Sequence, residues 1–183
     1  MDYYIDIKII PSQDNRESSL LSKVYTKFHQ VLVQLKADSI GVSFPEFQLK
    51  LGKVIRLHGS FKNLDELNSL NWLGDLESFC RFGNIEKAPE ECKFRKIYRK
   101  QSNMSQAKLK RLIKRKSISQ DEIKRYRIEM LKKGLDNPFI DLISSSTGQI
   151  HRRFFEFGEI LDKPTSGKFD TFGLSKDATI PWF

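Results

Sequence analysis

Leu21, Val24, Phe28, Val31, Leu32 and Leu35 return every three or four positions, a rhythm that commits residues 19–36 to a helix with one buried stripe. Ahead of it, YYIDIKII at residues 3–10 has the β-branched and aromatic content of a strand and stops at Pro11 and the polar SQDNRESS. Residues 40–44 and 53–59 read as two further strands with a turn at Pro45. Residues 63–70 read as a short helix capped by Asn63, and residues 77–82 as a last strand. The order is βαββαβ.

That order predicts an α+β chain whose N-terminal part is ferredoxin-like, with four antiparallel strands carrying two helices on one side. Metal chaperones and regulatory modules share the arrangement, so it does not determine an activity. The aromatic pattern of sheet-face RNA binders is missing, and bases are not expected to stack on this sheet. The chain has 183 residues, enough for one full core or two smaller ones. The acidic NIEKAPEEC then gives way to a basic stretch, which puts a domain boundary near Glu91: residues 1–91, then 92–183 as a second α+β domain.

In the second domain, residues 94–100 read as a strand. SQAKLKRLIKRK at residues 105–116 reads as a helix with Leu109, Leu112 and Ile113 on one side. Lys108, Lys110, Arg111, Lys114 and Arg115 cover the other side, roughly 18 Å of positive charge, with Lys116 among the apolar positions. Ser119 and Glu122 form a capping box, and Ile118 with Ile123 a hydrophobic staple, for a second helix through Ile123, Tyr126, Met130 and Leu131 to Gly134. Residues 139–144 and 151–157 form a hairpin across SSTGQI, and FDTFGLSKDATIPWF supplies one or two more extended segments.

Charge separates the two parts. Lys and Arg outnumber Asp and Glu by 32 to 23, a net +9, and residues 93–116 hold eleven basic side chains and no acid. A solvated helix face has the same look in isolation, but the asymmetry points to a polyanionic partner, nucleic acid above all. A lipid surface or calmodulin is disfavoured because the helix lacks large aromatic anchors. Cys80 and Cys92 are twelve apart, with neither CxxC spacing nor a nearby His pair, so they read as free thiols in a reducing compartment. With neither a signal peptide nor a long apolar run, the chain is expected to be soluble and cytoplasmic, without a membrane partner.

Three histidines are available, His29, His58 and His151. On the first helix His29 points about 120° away from the centre of the apolar stripe, which excludes a simple core role. It is either a solvent-facing histidine or, with an ordinary imidazole, a general base at neutral pH. Ser144, Ser145, Ser146 and Thr147 before Gly148 place four hydroxyls at a turn, where they can hold phosphate or ribose oxygens or serve only the turn. There is no nucleophile elbow, P-loop, HExxH or clustered acids for two magnesium ions. No metal site and no small-molecule cofactor are expected.

DYYIDIKIIP, KFHQVL, IGVSFPEF, the STGQ turn, GLSK and the final PWF, in that order over nearly the whole chain, resemble the CRISPR repeat-processing endoribonuclease of type I-F systems. The resemblance implies metal-independent cleavage at the 3′ base of a repeat hairpin's stem, leaving a 2′,3′-cyclic phosphate and a 5′-hydroxyl. It makes His29 the base toward a ribose 2′-hydroxyl and Ser144 the residue that fixes that ribose, with Ser146 beside it on the RNA. Arg111, Lys114 and Arg115, with Lys108, fall on the family's groove-reading helix, and Arg99 and Gln101 on its base-reading linker. The expected partners are the repeat hairpin and the other subunits of the surveillance complex. A non-catalytic hairpin-binding module of a ribonucleoprotein assembly is the alternative.

Three positions depart from the family pattern. Lys114 replaces an arginine and loses a planar fork; His151 replaces a phenylalanine that stacks on a base, and histidine can stack too; Phe172 replaces a tyrosine and brings no hydroxyl, so its role at the RNA is expected to be stacking or shape. If Lys108, Arg111, Lys114 and Arg115 each neutralise a phosphate, hairpin affinity falls by about 0.7 to 0.9 log units per contact per tenfold rise in salt. Replacing Arg111 and Arg115 together flattens that slope by two contacts in a salt titration. An unchanged slope removes this helix from the RNA interface.

Overall fold

Strand β1 (Tyr3–Ile9) buries Ile5, Ile7 and Ile9 and leaves Tyr4, Asp6 and Lys8 more exposed, the alternation of a strand covered chiefly on one face. Onto that face helix α1 (Glu17–Leu35) lays Leu20, Leu21, Val24, Tyr25, Phe28, Val31 and Leu32. The chain continues through β2 (Gly41–Ser43), β3 (Val54–Gly59), α2 (Phe61–Ser69), a 3₁₀ helix (Gly74–Phe79), β4 (Cys80–Phe82) and β5 (Glu86–Lys87). The sheet order is β2-β3-β1-β4, with every pair antiparallel and β5 pairing with the start of β1. The structure, a computed structural model, describes residues 1–101, 106–132, 136–143 and 148–183.

Two expectations need correction here. The cap of α2 is Ser60, whose Oγ accepts the Asn63 N–H at 3.2 Å, so the helix begins two residues earlier and Asn63 lies in its first turn. Asn63 instead donates its side-chain amide to Ser39 at 2.8 Å. The strand expected over residues 77–82 is a 3₁₀ helix as far as Phe79. Gly74, at φ +54°, starts that turn and Leu73 and Leu76 pack inward, which leaves three residues to pair with β1.

A second antiparallel sheet, in the order β7-β8-β6-β9, follows from β6 (Lys93–Lys100), β7 (Phe139–Ile143), β8 (Ile150–Leu161) and β9 (Ile180–Trp182). The β7–β8 pairing runs from Phe139 opposite Phe154 to Ile143 opposite Ile150, the expected hairpin with a longer second arm. Phe155 meets the rings of Tyr25 and Phe44 edge-on at 5.6 and 5.1 Å, so β8 completes the core that α1 began.

Arg56 ties the last residue into this unit. It gives Asp6 two hydrogen bonds of 2.7 and 2.8 Å and the Phe183 carbonyl a third of 3.1 Å, with its guanidinium over the rings of Tyr4 and Phe183. His58 is wholly buried, bonded through Nε2 to Ser43 Oγ at 2.7 Å. Burial, with the charge of Arg56 adding, pushes its pKa down to about 3, which makes it a neutral structural residue. Both cysteines are free, and burial raises the Cys80 thiol to about 11.

Packing divides the described chain into Met1–Arg99 with Pro138–Phe183 as one unit and Lys100–Asn137 as another. The second unit holds α3 (Gln106–Lys114) and α4 (Gln120–Lys132). The basic helix stops at Lys114 because Lys116 turns left-handed at φ +51°, and the N–H groups of Lys116 and Ser117 bond back to Ile113 and Leu112, a Schellman ending. The capping box forms as expected, Ser119 N–H to Glu122 at 2.8 Å and Glu122 N–H to Ser119 Oγ at 3.3 Å. Leu109 is buried, whereas Ile113 remains 41% exposed; the covered seam is narrower than the apolar face of the sequence. None of the described helices is long and apolar enough to cross a membrane.

Candidate active site

His29 sits on the outer flank of α1, half-buried, at a cleft of about 620 Å³. Its Nδ1 lies 2.7 Å from the carbonyl oxygen of Thr171. A carbonyl only accepts, so Nδ1 carries the proton and, in the neutral ring, Nε2 keeps its lone pair. The Phe172 ring lies flat on the imidazole, centroids 3.6 Å apart and planes within 7°. One hydrogen bond and one stacking contact thus set the ring's tautomer and its plane.

The turn that supplies both contacts is braced from several sides. Asp170 Oδ1 accepts the N–H groups of Phe172 and Leu174, each at 2.9 Å, and Asp170 N–H bonds to the Leu174 carbonyl at 2.8 Å. Gly173 adopts φ +69°, and a Cβ there would lie 3.1 Å from both Phe28 Cε1 and the Val42 nitrogen, so a side chain at this approach to α1 and β2 is strained. Val42 N–H also bonds to the Gly173 carbonyl at 3.0 Å. From beneath, the Tyr25 hydroxyl donates to the Phe172 carbonyl at 2.8 Å. Burial raises the Tyr25 pKa well above its usual value, which keeps that hydroxyl a donor.

The other face of Phe172 is taken by Arg153, whose guanidinium carbon stands 3.4 Å from the ring centroid. The imidazole and the guanidinium are each within 4 Å of one ring centre, so they must lie on opposite sides of it. The result is a three-layer stack of imidazole, phenyl ring and guanidinium. Arg153 Nε is buried without a hydrogen-bond partner among the described residues. Burial draws the guanidinium pKa below its usual range; Tyr25 and Asp170 oppose that shift and Arg99 adds to it.

His29, Arg99, His151 and Phe172 all line this one cleft, although 142 positions separate His29 from Thr171. Phe172 has both faces covered, so its ring stacks on His29 and Arg153 rather than offering a face to a base. Lys108, Arg111, Lys114 and Arg115 are exposed on or just past α3, and Gln101 is exposed at the start of the same unit. Ser144 and Ser146 lie outside the described residues. Sequence reasoning passed over Tyr25, Asp170, Thr171, Gly173 and Arg153. Arg153 had a readable signal, since it stands two residues after His151 on one strand and so shares its face; the Thr171 carbonyl had none.

A family model described as "CRISPR-associated protein (Cas_Csy4)" matches residues 4–183. The chain belongs to that family. Within it, the chain is similar over its whole length, and theirs, to two proteins called CRISPR-associated endonuclease Cas6/Csy4: 35% identical over 187 residues to that of Pseudomonas aeruginosa strain UCBPP-PA14, and 31% over 184 residues to that of Escherichia coli strain UTI89.

The turn beneath His29 can be tested by stability. Gly173→Ala combines a left-handed alanine with two close contacts and should cost about 2 kcal/mol, read as a lower urea midpoint at unchanged slope. A midpoint equal to the unmodified chain would mean the turn accommodates a side chain and does not brace the site as described.

Proposed function

We propose that this chain is the endoribonuclease that matures CRISPR repeat RNA: it binds the repeat hairpin, cleaves at the 3′ base of the stem without a metal ion, and stays on its product as a subunit of the surveillance complex. Family membership and the two endonuclease relatives support the class. The observation that carries the chemistry is the His29 imidazole, held through Nδ1 by the Thr171 carbonyl with Nε2 left as a base in a cleft that also bears Arg99 and Arg153.

In this reading Nε2 takes the proton of the ribose 2′-hydroxyl preceding the scissile phosphate. The 2′-oxygen attacks phosphorus in line, the bond from phosphorus to O5′ breaks, and O5′ takes up a proton, giving a 2′,3′-cyclic phosphate and a 5′-hydroxyl. The nucleophile belongs to the substrate, so no water has to be activated, and holding the in-line geometry supplies much of the acceleration. The imidazolium formed in the step retains its Nδ1–H bond to Thr171 and lies on the face of Phe172, a favourable seat for a cation. Ser144 fixes the ribose with Ser146 beside it, and His151 stacks on a base at the cleavage site.

Recognition in this proposal belongs to the basic segment. Arg99 makes a bidentate contact to a guanine edge, Gln101 pairs with an adenine, and α3 brings Lys108, Arg111, Lys114 and Arg115 to the major groove. Side chains do not enter that groove in continuous A-form RNA, so a short hairpin whose ends open it becomes part of the specificity. We assign residues 1–91 as a ferredoxin-like domain, on the β2-β3-β1-β4 strand order, and residues 92–183 as the RNA-recognition domain, whose strands form the other sheet. Processing is assigned to the cytoplasm.

Repeat hairpin incubated with the protein in EDTA should be cut once, giving a cyclic phosphate on the upstream fragment. His29→Ala should bind the hairpin within about threefold and cleave about 10² to 10⁴ times more slowly. Undiminished cleavage by His29→Ala would remove the imidazole from the mechanism. Binding by the unmodified protein without any cutting would make the chain a hairpin-binding module instead.

A further inference from the structure

Arg153 is an expensive residue to place where it is. Its guanidinium is partly withdrawn from water, stands over the Phe172 ring, leaves Nε without a partner among the described residues and forms no ion pair with a described carboxylate, Asp170 acting on it only at longer range. A cation compensated only at longer range lowers stability, and an aromatic contact recovers only part of that. Such a placement is understandable where an anion is absent from the resting protein and arrives with the substrate. Arg152, the next residue, makes the contrast: it also borders the cleft but is neutralised by Asp141 at 3.0 Å.

The stack also sets a spacing. The two stacking distances, 3.6 and 3.4 Å, hold the guanidinium about 7 Å from the imidazole. In a ribose 3′-phosphodiester the 2′-oxygen and a non-bridging phosphate oxygen are a few ångströms apart. With a hydrogen bond of about 2.8 Å at each end, that pair spans the gap between Nε2 and the guanidinium. A guanidinium held over a ring face does not spend its N–H groups on that contact, which leaves them for a fork to a phosphate.

We propose that Arg153 binds a non-bridging oxygen of the scissile phosphate and stabilises the negative charge that builds there as the 2′-oxygen attacks, with Phe172 as the spacer that separates base and guanidinium. This rests on the reading of His29 as the base toward the 2′-hydroxyl. No atoms are exchanged with Arg153: it donates N–H bonds that shorten as the five-coordinate phosphorus forms, and it remains protonated throughout. Its contribution is electrostatic and greatest in the transition state.

The test is single-turnover cleavage of the repeat hairpin by Arg153→Gln, Arg153→Lys and His29→Ala, with binding measured on a hairpin carrying 2′-deoxyribose at the cleavage site. Arg153→Gln should cut about 10²-fold more slowly and bind the uncleavable hairpin within about threefold; Arg153→Lys should recover part of the loss. A phosphorothioate in one of the two non-bridging positions should slow the unmodified protein more than Arg153→Gln, because sulfur weakens only a contact that exists. If Arg153→Gln loses hairpin binding through misfolding, the thio effect of Arg153→Lys decides in its place.

Cleavage by Arg153→Gln at the unmodified rate overturns the proposal. So does a uniform loss in both Arg153 variants with the thio discrimination intact, the signature of a prop beneath Phe172. His29→Ala keeps the two readings apart: if it cleaves normally, the base assignment fails by itself, whereas an inactive His29→Ala beside a fully active Arg153→Gln leaves the base standing and removes only Arg153.

Discussion

The hydrogen bond from His29 Nδ1 to the Thr171 carbonyl, 2.7 Å long, is the contact on which the site depends. An imidazole on an exposed helix flank rotates and exchanges tautomers freely. This one is given a fixed tautomer by a backbone oxygen and a fixed plane by the Phe172 ring. The constraint extends into the core: Tyr25 holds the Phe172 carbonyl from within α1, Gly173 lets the turn lie against Phe28 and Val42, and Asp170 closes the turn on itself. A catalytic constellation needs this kind of support, because a donor or base displaced by about an ångström loses much of its effect.

Charge is distributed to match two tasks. The unit formed by Lys100–Asn137 carries exposed Lys and Arg on α3, suited to long-range attraction of a polyanion and to salt-sensitive binding. The cleft beside His29 is lined by Arg99, Arg152 and Arg153; Arg153 among them is partly buried and held over Phe172, where a charge acts more strongly than it would in water. Arg56 shows a similar contact in a purely structural setting, with its guanidinium over two rings but satisfied by Asp6 and a carbonyl. Arg153 has the ring without the carboxylate, and that difference separates a strut from a binding group.

What could be read from the chain alone was whatever depends on near neighbours. The stripe of α1, the β-branched and aromatic content of β1, the capping box at Ser119 and the hairpin of β7 with β8 are local patterns, and all of these elements formed. The cap of α2 went to Ser60 because serine and asparagine compete for that role and serine came first along the chain. The strand before Phe82 shortened because Gly74 let a 3₁₀ turn form and bury Leu76. The site was legible as residues but not as an arrangement. His29 stood out by its angle on the helix, yet its orienting group is a main-chain carbonyl far along the chain, which no side-chain pattern announces. Phe172, lacking a hydroxyl, was legible as a stacking or shape residue, but not which groups its two faces meet.

The central claim is that His29 presents an unprotonated Nε2 to the substrate because Nδ1 holds the proton against Thr171. Long-range proton–nitrogen correlation spectra of protein carrying ¹⁵N-histidine, recorded above the imidazole's titration, measure this directly. The account predicts a pyrrole-type Nδ1 and a pyridine-type Nε2 for His29. A pyridine-type Nδ1, with the proton on Nε2, would contradict it.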